Sequence, residues 1–313
     1  MKNRMKHLLL NVKAFTTLFF GTFSLLLIPS IGSACACGCN VFTVGTPWLM
    51  PLRSGFEGFF QYNFMDQRTN WHNWASAASS LNSDLEIRTQ FYTLGVQYMV
   101  GREWGVMVEA PVWTRYFNTT LDDGSRASVT HNSFGDVRVT GMYTGVSEDM
   151  STGLQFGLKL PTGPFSQTLL DRDTQIGSGT TDLLLGGYQM GQENGWGWFS
   201  QIMWQHAFNT RSGYKPGDSF DINGGVHFEQ ILSSVGIIPT VQIAASFRGT
   251  DSGEAAEPEN TGYDRVYFSP GFEALISSNL NLYADLKIPV WTHVRGMQLV
   301  APALVGVTMS YSF

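Results

Sequence analysis

Apolar residues in this chain fall on every second position over whole strand lengths, and that period excludes helices as the main element. The C-terminus shows it cleanly: Val305, Val307, Met309, Tyr311 and Phe313 alternate with Gly306, Thr308, Ser310 and Ser312. Phe56, Gly58, Phe60, Tyr62 and Phe64 oppose Glu57, Phe59, Gln61 and Asn63 in the same way. The stretches 154–161 and 280–290 repeat the pattern. Each such strand has one greasy face and one wettable face. A soluble sandwich would bury the greasy alternates, but there are more of them than one small core holds. Closing the sheet around a wet interior, with lipid outside, satisfies every strand without leaving an edge.

Twelve segments carry the alternation: 53–64, 84–100, 104–117, 133–147, 152–161, 181–192, 196–208, 219–231, 237–248, 264–276, 280–291 and 298–313. Short turns near 101–103, 148–151, 193–195, 233–236 and 277–279 interleave with longer polar stretches at 65–83, 118–132, 162–180, 209–218, 249–263 and 292–297. Five short links between six long ones place both termini on the side of the short turns, which in outer-membrane barrels is periplasmic. The expectation is an all-β chain, a single 12-stranded antiparallel up-and-down transmembrane β-barrel with an N-terminal signal peptide. Composition agrees: only 14% of residues are charged, against roughly 25% in ordinary soluble domains. After residue 30 no stretch is apolar for the roughly 20 residues that a spanning helix needs.

Residues 1–34 read as a secretory leader: Lys2, Arg4, Lys6 and Lys13 precede an apolar run from Ala14 to Ile28, with cleavage after Ala34 or Ala36. Residues 35–52 form a Cys-containing segment, a plug or a periplasmic tag, and 53–313 the barrel. Removing the leader takes away four bases and no acid, leaving a net charge of −10. Such a surface is unsuited to nucleic acid. Phe313, in phase with the greasy face, has the form of the signal read by the barrel-assembly machinery. Trp104, Trp196, Trp198 and Trp204 suit interfacial girdles. The expected location is the outer membrane of a Gram-negative cell, in contact with its lipid and lipopolysaccharide.

The run Gly157-Leu158-Lys159-Leu160-Pro161-Thr162-Gly163, followed after a loop by Gly177-Ser178-Gly179-Thr180-Thr181-Asp182 and Leu183 to Gly187, resembles a known outer-membrane family. That family is named for the MetA pathway of phenol degradation and is a distant relative of long-chain fatty-acid transporters. Phe134-Gly135-Asp136-Val137 matches it at an equivalent point. The resemblance implies a passive carrier of small, often hydrophobic or aromatic solutes.

Two further repeats stand out. Glu109-Ala110-Pro111-Val112, Lys159-Leu160-Pro161-Thr162 and Lys287-Ile288-Pro289-Val290 each place proline near the outer end of a strand. Proline removes a ladder donor, so each unit marks either a break in the wall, serving as a side opening, or a strand ending at the rim. Asp84, Asp136, Asp182, Asp221 and Asp264 begin the returning strands. They form either a negative outer rim for cations or the turn chemistry that starts a strand.

Parity assigns Glu57, Glu86, Glu109, Asp136, Asp182, Asp221, Glu229, Glu273 and Asp285 to the lumen. Arg88, Arg115, Arg138, Lys159, Arg248, Lys287 and His227 join them, with Tyr92, Trp113 and Trp291 among the aromatic interruptions. Charges of both signs in a confined space are expected to pair. Cys35, Cys37 and Cys39 are the only cysteines. They read as a Cu or Zn site, as a lipidated terminus, or as a tag without ligand. His131-Asn132-Ser133 has the spacing of an outer-membrane lipid hydrolase, but no asparagine follows in phase on the next strand. The favoured expectation is therefore a non-enzymatic channel for small solutes. Metal handling and lipid hydrolysis stand as alternatives.

Overall fold

The computed structural model describes residues 49–51, 53–229 and 231–313. The expected leader and the three cysteines lie outside the described residues. Sixteen strands follow in chain order: β1 (Gly55–Gln67), β2 (Thr69–His72), β3 (Ala75–Ser76), β4 (Asp84–Val100), β5 (Trp104–Thr120), β6 (Arg126–Phe134), β7 (Val137–Tyr143), β8 (Thr152–Leu160), β9 (Asp182–Glu193), β10 (Trp196–Ala207), β11 (Ser219–Phe228), β12 (Ile237–Arg248), β13 (Tyr263–Leu275), β14 (Leu280–Val294), β15 (Met297–Val300) and β16 (Leu304–Ser312).

Thirteen of these form one antiparallel sheet in which β1 pairs with both β4 and β16 and β4 pairs with β5, so the sheet closes on itself. Because β6 and β7 are two halves of one stave against β5, the barrel has twelve staves among the described residues. Its polarity is inverted relative to a soluble protein. Leu94, Val96, Tyr98 and Val100 are exposed, while their neighbours Gln97 and Thr89 are buried. On β16, Met309 and Tyr311 face out and Thr308, Ser310 and Ser312 face in. The chain is thus a transmembrane barrel with the build of outer-membrane proteins.

The end bearing Gly55 and Phe313 also carries the short turns. One of these is Asn194-Gly195, both at positive φ (53° and 82°), the two-residue hairpin that matches strand twist. Trp104 and Trp196 stand outward there, Trp104 against Tyr143 at 4.6 Å. Phe313 lies edge-on to Phe56 at 5.2 Å and to Tyr311 at 4.9 Å.

Local departures from strict alternation have identifiable causes. The stretch expected as a loop over 118–132 is mostly strand, since β5 runs to Thr120 and β6 begins at Arg126. Above the membrane a stave needs no greasy face, so its polar sequence hid it. At the top of β4, Asp84 pairs with Thr119 but Glu86 with Asn118, so Leu85 is an extra residue. That one-residue bulge flips the parity of the strand above it. Asp84 therefore faces inward, while Glu86, Arg88 and Tyr92, in phase with Leu94, face outward rather than into the lumen, and Arg88 lies over the Tyr116 ring. A second bulge at Val290 turns Trp291 outward, 42% exposed.

The three proline units end differently. Pro289 adjoins that second bulge, and Pro161 follows the end of β8. Pro111 sits where two residues of β5 face three of its neighbour, and its carbonyl accepts the Gly135 N–H at 2.8 Å. β15, β2 and β3 make a small separate sheet, whose Leu299 packs against the inward-facing Ile87 and Phe117.

Candidate functional site

The connection 161–181, between β8 and β9, folds back into the barrel. Thr174, Ile176 and Thr180 in it are buried. Its two ends cross at Gly163 and Gly177: a Cβ on Gly177 would lie 2.2 Å from the Gly163 carbonyl oxygen. Only glycine permits that approach, which gives the two glycine-containing motifs a physical reason.

Asp136, in the break between β6 and β7, ties both ends down. Its carboxylate accepts the N–H of Gly163 (3.0 Å), the N–H of Ser178 (3.0 Å) and the Ser178 hydroxyl (2.8 Å). Lys159 lies between Asp136 (3.1 Å) and Asp182 (2.9 Å), all three groups buried. Thr162 mends the broken stave, accepting from the Val137 N–H and donating to the Gly135 carbonyl. From the neighbouring stave β5, Arg115 donates to the Thr89 hydroxyl at 3.0 Å and to the carbonyls of Thr174 and Gln175. Arg172 stacks over Phe165 (5.1 Å) and Tyr214 (4.4 Å) and donates to the Ser178 carbonyl. Burial pushes the loop carboxyls up: Asp171 to about 6, with Glu257 adding repulsion, and Asp173 well above its ordinary range, with Asp171 and Asp251 adding theirs.

Beneath the loop lies a cavity of ≈ 160 Å³, lined by the cations Arg115, Arg138, Lys159, Arg172 and Arg248, the acids Glu109, Asp136 and Asp173, and the rings of Phe91, Trp113 and Tyr214. Gln61, Glu109 and Arg138 also line a smaller cavity of ≈ 30 Å³ on the periplasmic side. Leu49 and Met50 bound that lower space, Met50 packing on Tyr188 and Phe199. Among the described residues, these two chambers of the lumen meet at the Gln61–Glu109–Arg138 level, with the folded loop above and Leu49 and Met50 below.

Other residues expected to line the lumen are placed as follows. Asp285 accepts from Lys287 (2.6 Å) and Ser269 (2.7 Å), both charges buried. Asp221 and Glu273 are buried on the inward face, and Glu57 is half-buried at the periplasmic mouth. There His227 stands 3.7 Å from Glu229. Arg248 pairs with Asp251 at 2.9 Å near the outer end.

The expected acidic rim is not an exposed ring. Asp84, Asp136, Asp182 and Asp221 are buried inward, and Asp264 faces outward against His293 and Arg295. Carboxylates at strand starts are used up by hydrogen bonds and ion pairs, as when Thr119 donates to Asp84 at 2.9 Å. Arg265 and Arg172 were missed by the parity analysis. Arg265 is buried inward over the Tyr263 ring at 4.2 Å, and the alternation Tyr263, Arg265, Tyr267 carried the signal. His131 and Ser133 face inward, and a His131 ring nitrogen lies 3.0 Å from the Thr168 carbonyl, away from lipid. No group of three His, Cys, Asp or Glu suited to a metal occurs among the described residues.

No family profile and no curated protein matches this chain. Among solved structures it is similar to an outer-membrane channel from Pseudomonas putida F1, at 12% identity and TM-score 0.65, over 86% of this chain and all of that one. The monoaromatic hydrocarbon channel CymD aligns over 90% of this chain and 94% of its own at 10% identity and TM-score 0.47. The toluene transporter TodX of P. putida aligns over 83% and 90% at 7% identity and TM-score 0.43. What the first of these shares with this chain is the fold.

Proposed function

We propose that this outer-membrane barrel is a passive channel for small solutes, hydrophobic or aromatic ones among them, which cross by way of the two lumen chambers. The observation that carries this is the cavity of ≈ 160 Å³ inside a closed wall, lined by aromatic rings and arginines together, with Arg115 5.1 Å from the Trp113 ring. Phe91 and Trp113 meet edge-to-face at 4.7 Å, offering an apolar wall to a ring. A cavity of roughly 150 Å³ is enough for one benzene ring. Larger solutes require the loop at 161–181 to swing outward or Leu49 and Met50 to withdraw.

Gradient-driven passage needs no covalent chemistry. Polar groups at the Gln61–Glu109–Arg138 level replace the water a solute sheds, so that no desolvated intermediate is stranded. The arrangement of His131 and Ser133 favours this over lipid hydrolysis. We assign Phe313, 76% exposed at the periplasmic rim, to recognition by the barrel-assembly machinery. The outward charges Glu86 and Arg88 are assigned to the lipopolysaccharide level. Proteoliposome swelling with single-ring solutes tests the function: flux above protein-free vesicles is expected, and its absence, together with absent conductance in planar bilayers, would overturn it.

A further inference from the structure

Where β4, β5 and β7 meet at the periplasmic end, a glycine on the inward face is flanked by two methionines. Met99 pairs opposite Gly105, and Gly105 opposite Met142. A Cβ on Gly105 would lie 2.1 Å from the Met99 sulfur and 3.3 Å from the Met142 methyl. The space left by the missing side chain is where the two thioethers meet. Met150, from the turn between β7 and β8, and Met107, the next inward residue of β5, complete the cluster. Met99, Met142 and Met150 are at most 2% exposed.

The position of Met150 is unusual. Its φ is +65°, the left-handed conformation held by Gly101, Asn194, Gly195 and Gly236 in three of the other periplasmic turns. A residue with a Cβ is disfavoured there by about 1–2 kcal/mol, yet this turn carries a long side chain and sends it inward. The Met150 carbonyl accepts the Tyr188 hydroxyl at 3.2 Å, which fixes the turn. Around the cluster the inward face mixes polar groups, Gln97, Thr140 and Gln155, with apolar ones, Phe59, Leu184 and Phe199. Four methionines from four elements pack together here, with no other side chain in the cluster.

Thioethers are soft, neutral donors that select Cu(I) over hard or borderline ions. We infer that Met99, Met107, Met142 and Met150 form a binding site for a soft monovalent metal ion, Cu(I) or its congener Ag(I). Met107 also lines the lower cavity, together with Met50 and Met203, so thioethers continue from the site into the lumen and give an ion a route to it. The site is independent of which solute the channel passes. Packing alone is the competing account, because methionine fills irregular gaps.

The test uses the full-length barrel carrying Cys35→Ser, Cys37→Ser and Cys39→Ser, so that only thioethers contribute. It is titrated with Ag(I), and with Cu(I) held reduced by ascorbate. Tight binding of a single ion with a sulfur-only shell in X-ray absorption is expected. Met99→Leu combined with Met142→Leu should weaken it by at least the roughly 10–100-fold that even second-shell changes cause. Leucine conserves the volume, so the barrel itself should persist. Met150→Leu, in a turn rather than a strand, provides a second variant if the pair fails to assemble. Equal Ag(I) binding by the Cys-free protein and these variants, or a nitrogen and oxygen shell, would overturn the inference.

Discussion

Asp136→Ala removes the one acceptor that holds both ends of the inward loop. Two backbone N–H groups and the Ser178 hydroxyl lose a charged partner, while Lys159 retains Asp182 at 2.9 Å. A hydrogen bond to a charged group contributes about 1.5–3 kcal/mol. The neighbouring cavity admits water that takes over part of this, so the lower value applies to each N–H, about 3 kcal/mol together. That is roughly a 100-fold shift of the loop from packed toward released. Arg172, the only basic residue of the 161–181 segment, then leaves its place between Phe165 and Tyr214. Limited trypsin digestion of the reconstituted protein should cut at Arg172 much faster in the variant, and single-channel recordings should show larger and longer openings. Asp136→Asn, which keeps one acceptor oxygen, should fall between. If cleavage and conductance both match wild type, the carboxylate does not hold the loop.

Other consequences follow from the same contacts. The Asp171 carboxyl is raised from 3.8 to about 6 by burial and Glu257, so its protonated form favours the packed loop. Packing is strongest below about pH 4 and weakens as pH rises through about 6; Arg172 cleavage should increase over that window, and Asp171→Asn should flatten the profile. Leu94→Arg puts a charge on the lipid face at a cost of roughly 2–4 kcal/mol at mid-membrane, whereas inward Gln97→Arg should fold nearly normally, as urea titration in vesicles would show. Phe313→Ala removes two edge-on ring contacts. It should lower the heat-modifiable barrel recovered from outer membranes several-fold, at unchanged synthesis.

Strand number, order and orientation were legible because alternation is a global property: each stave must separate lipid from water along its length. The facing of individual residues was less so. A bulge inserts one residue without altering composition, and Leu85 carries no turn residue to announce it, so phase counted from inward Asp84 puts Glu86, Arg88 and Tyr92 on the wrong face, whereas phase counted from Leu94 puts them outward. The bulge at Val290 did have a herald in Pro289, but its effect on Trp291 depends on which side of the proline the ladder resumes. The inward loop was visible only as glycine-rich motifs. Their meaning lies in a crossing of Gly163 and Gly177, residues separated by the whole loop, and no local pattern encodes it. The acidic strand starts were seen correctly as a repeat, yet their partners Lys159, Thr119 and Ser178 are brought to them only by the closed barrel.

The central claim is a closed wall with greasy residues outward and wettable ones inward, and spin labels placed singly along β4 test it most directly. Labels at Leu94, Val96, Tyr98 and Val100 should be relaxed by oxygen dissolved in lipid, those at Thr93, Gly95 and Gln97 by a water-soluble nickel chelate, with Arg88 in phase with Leu94 below the bulge at Leu85. A repeat of 3.6 residues, or chelate contact at the even-numbered positions from 94 to 98, would contradict it.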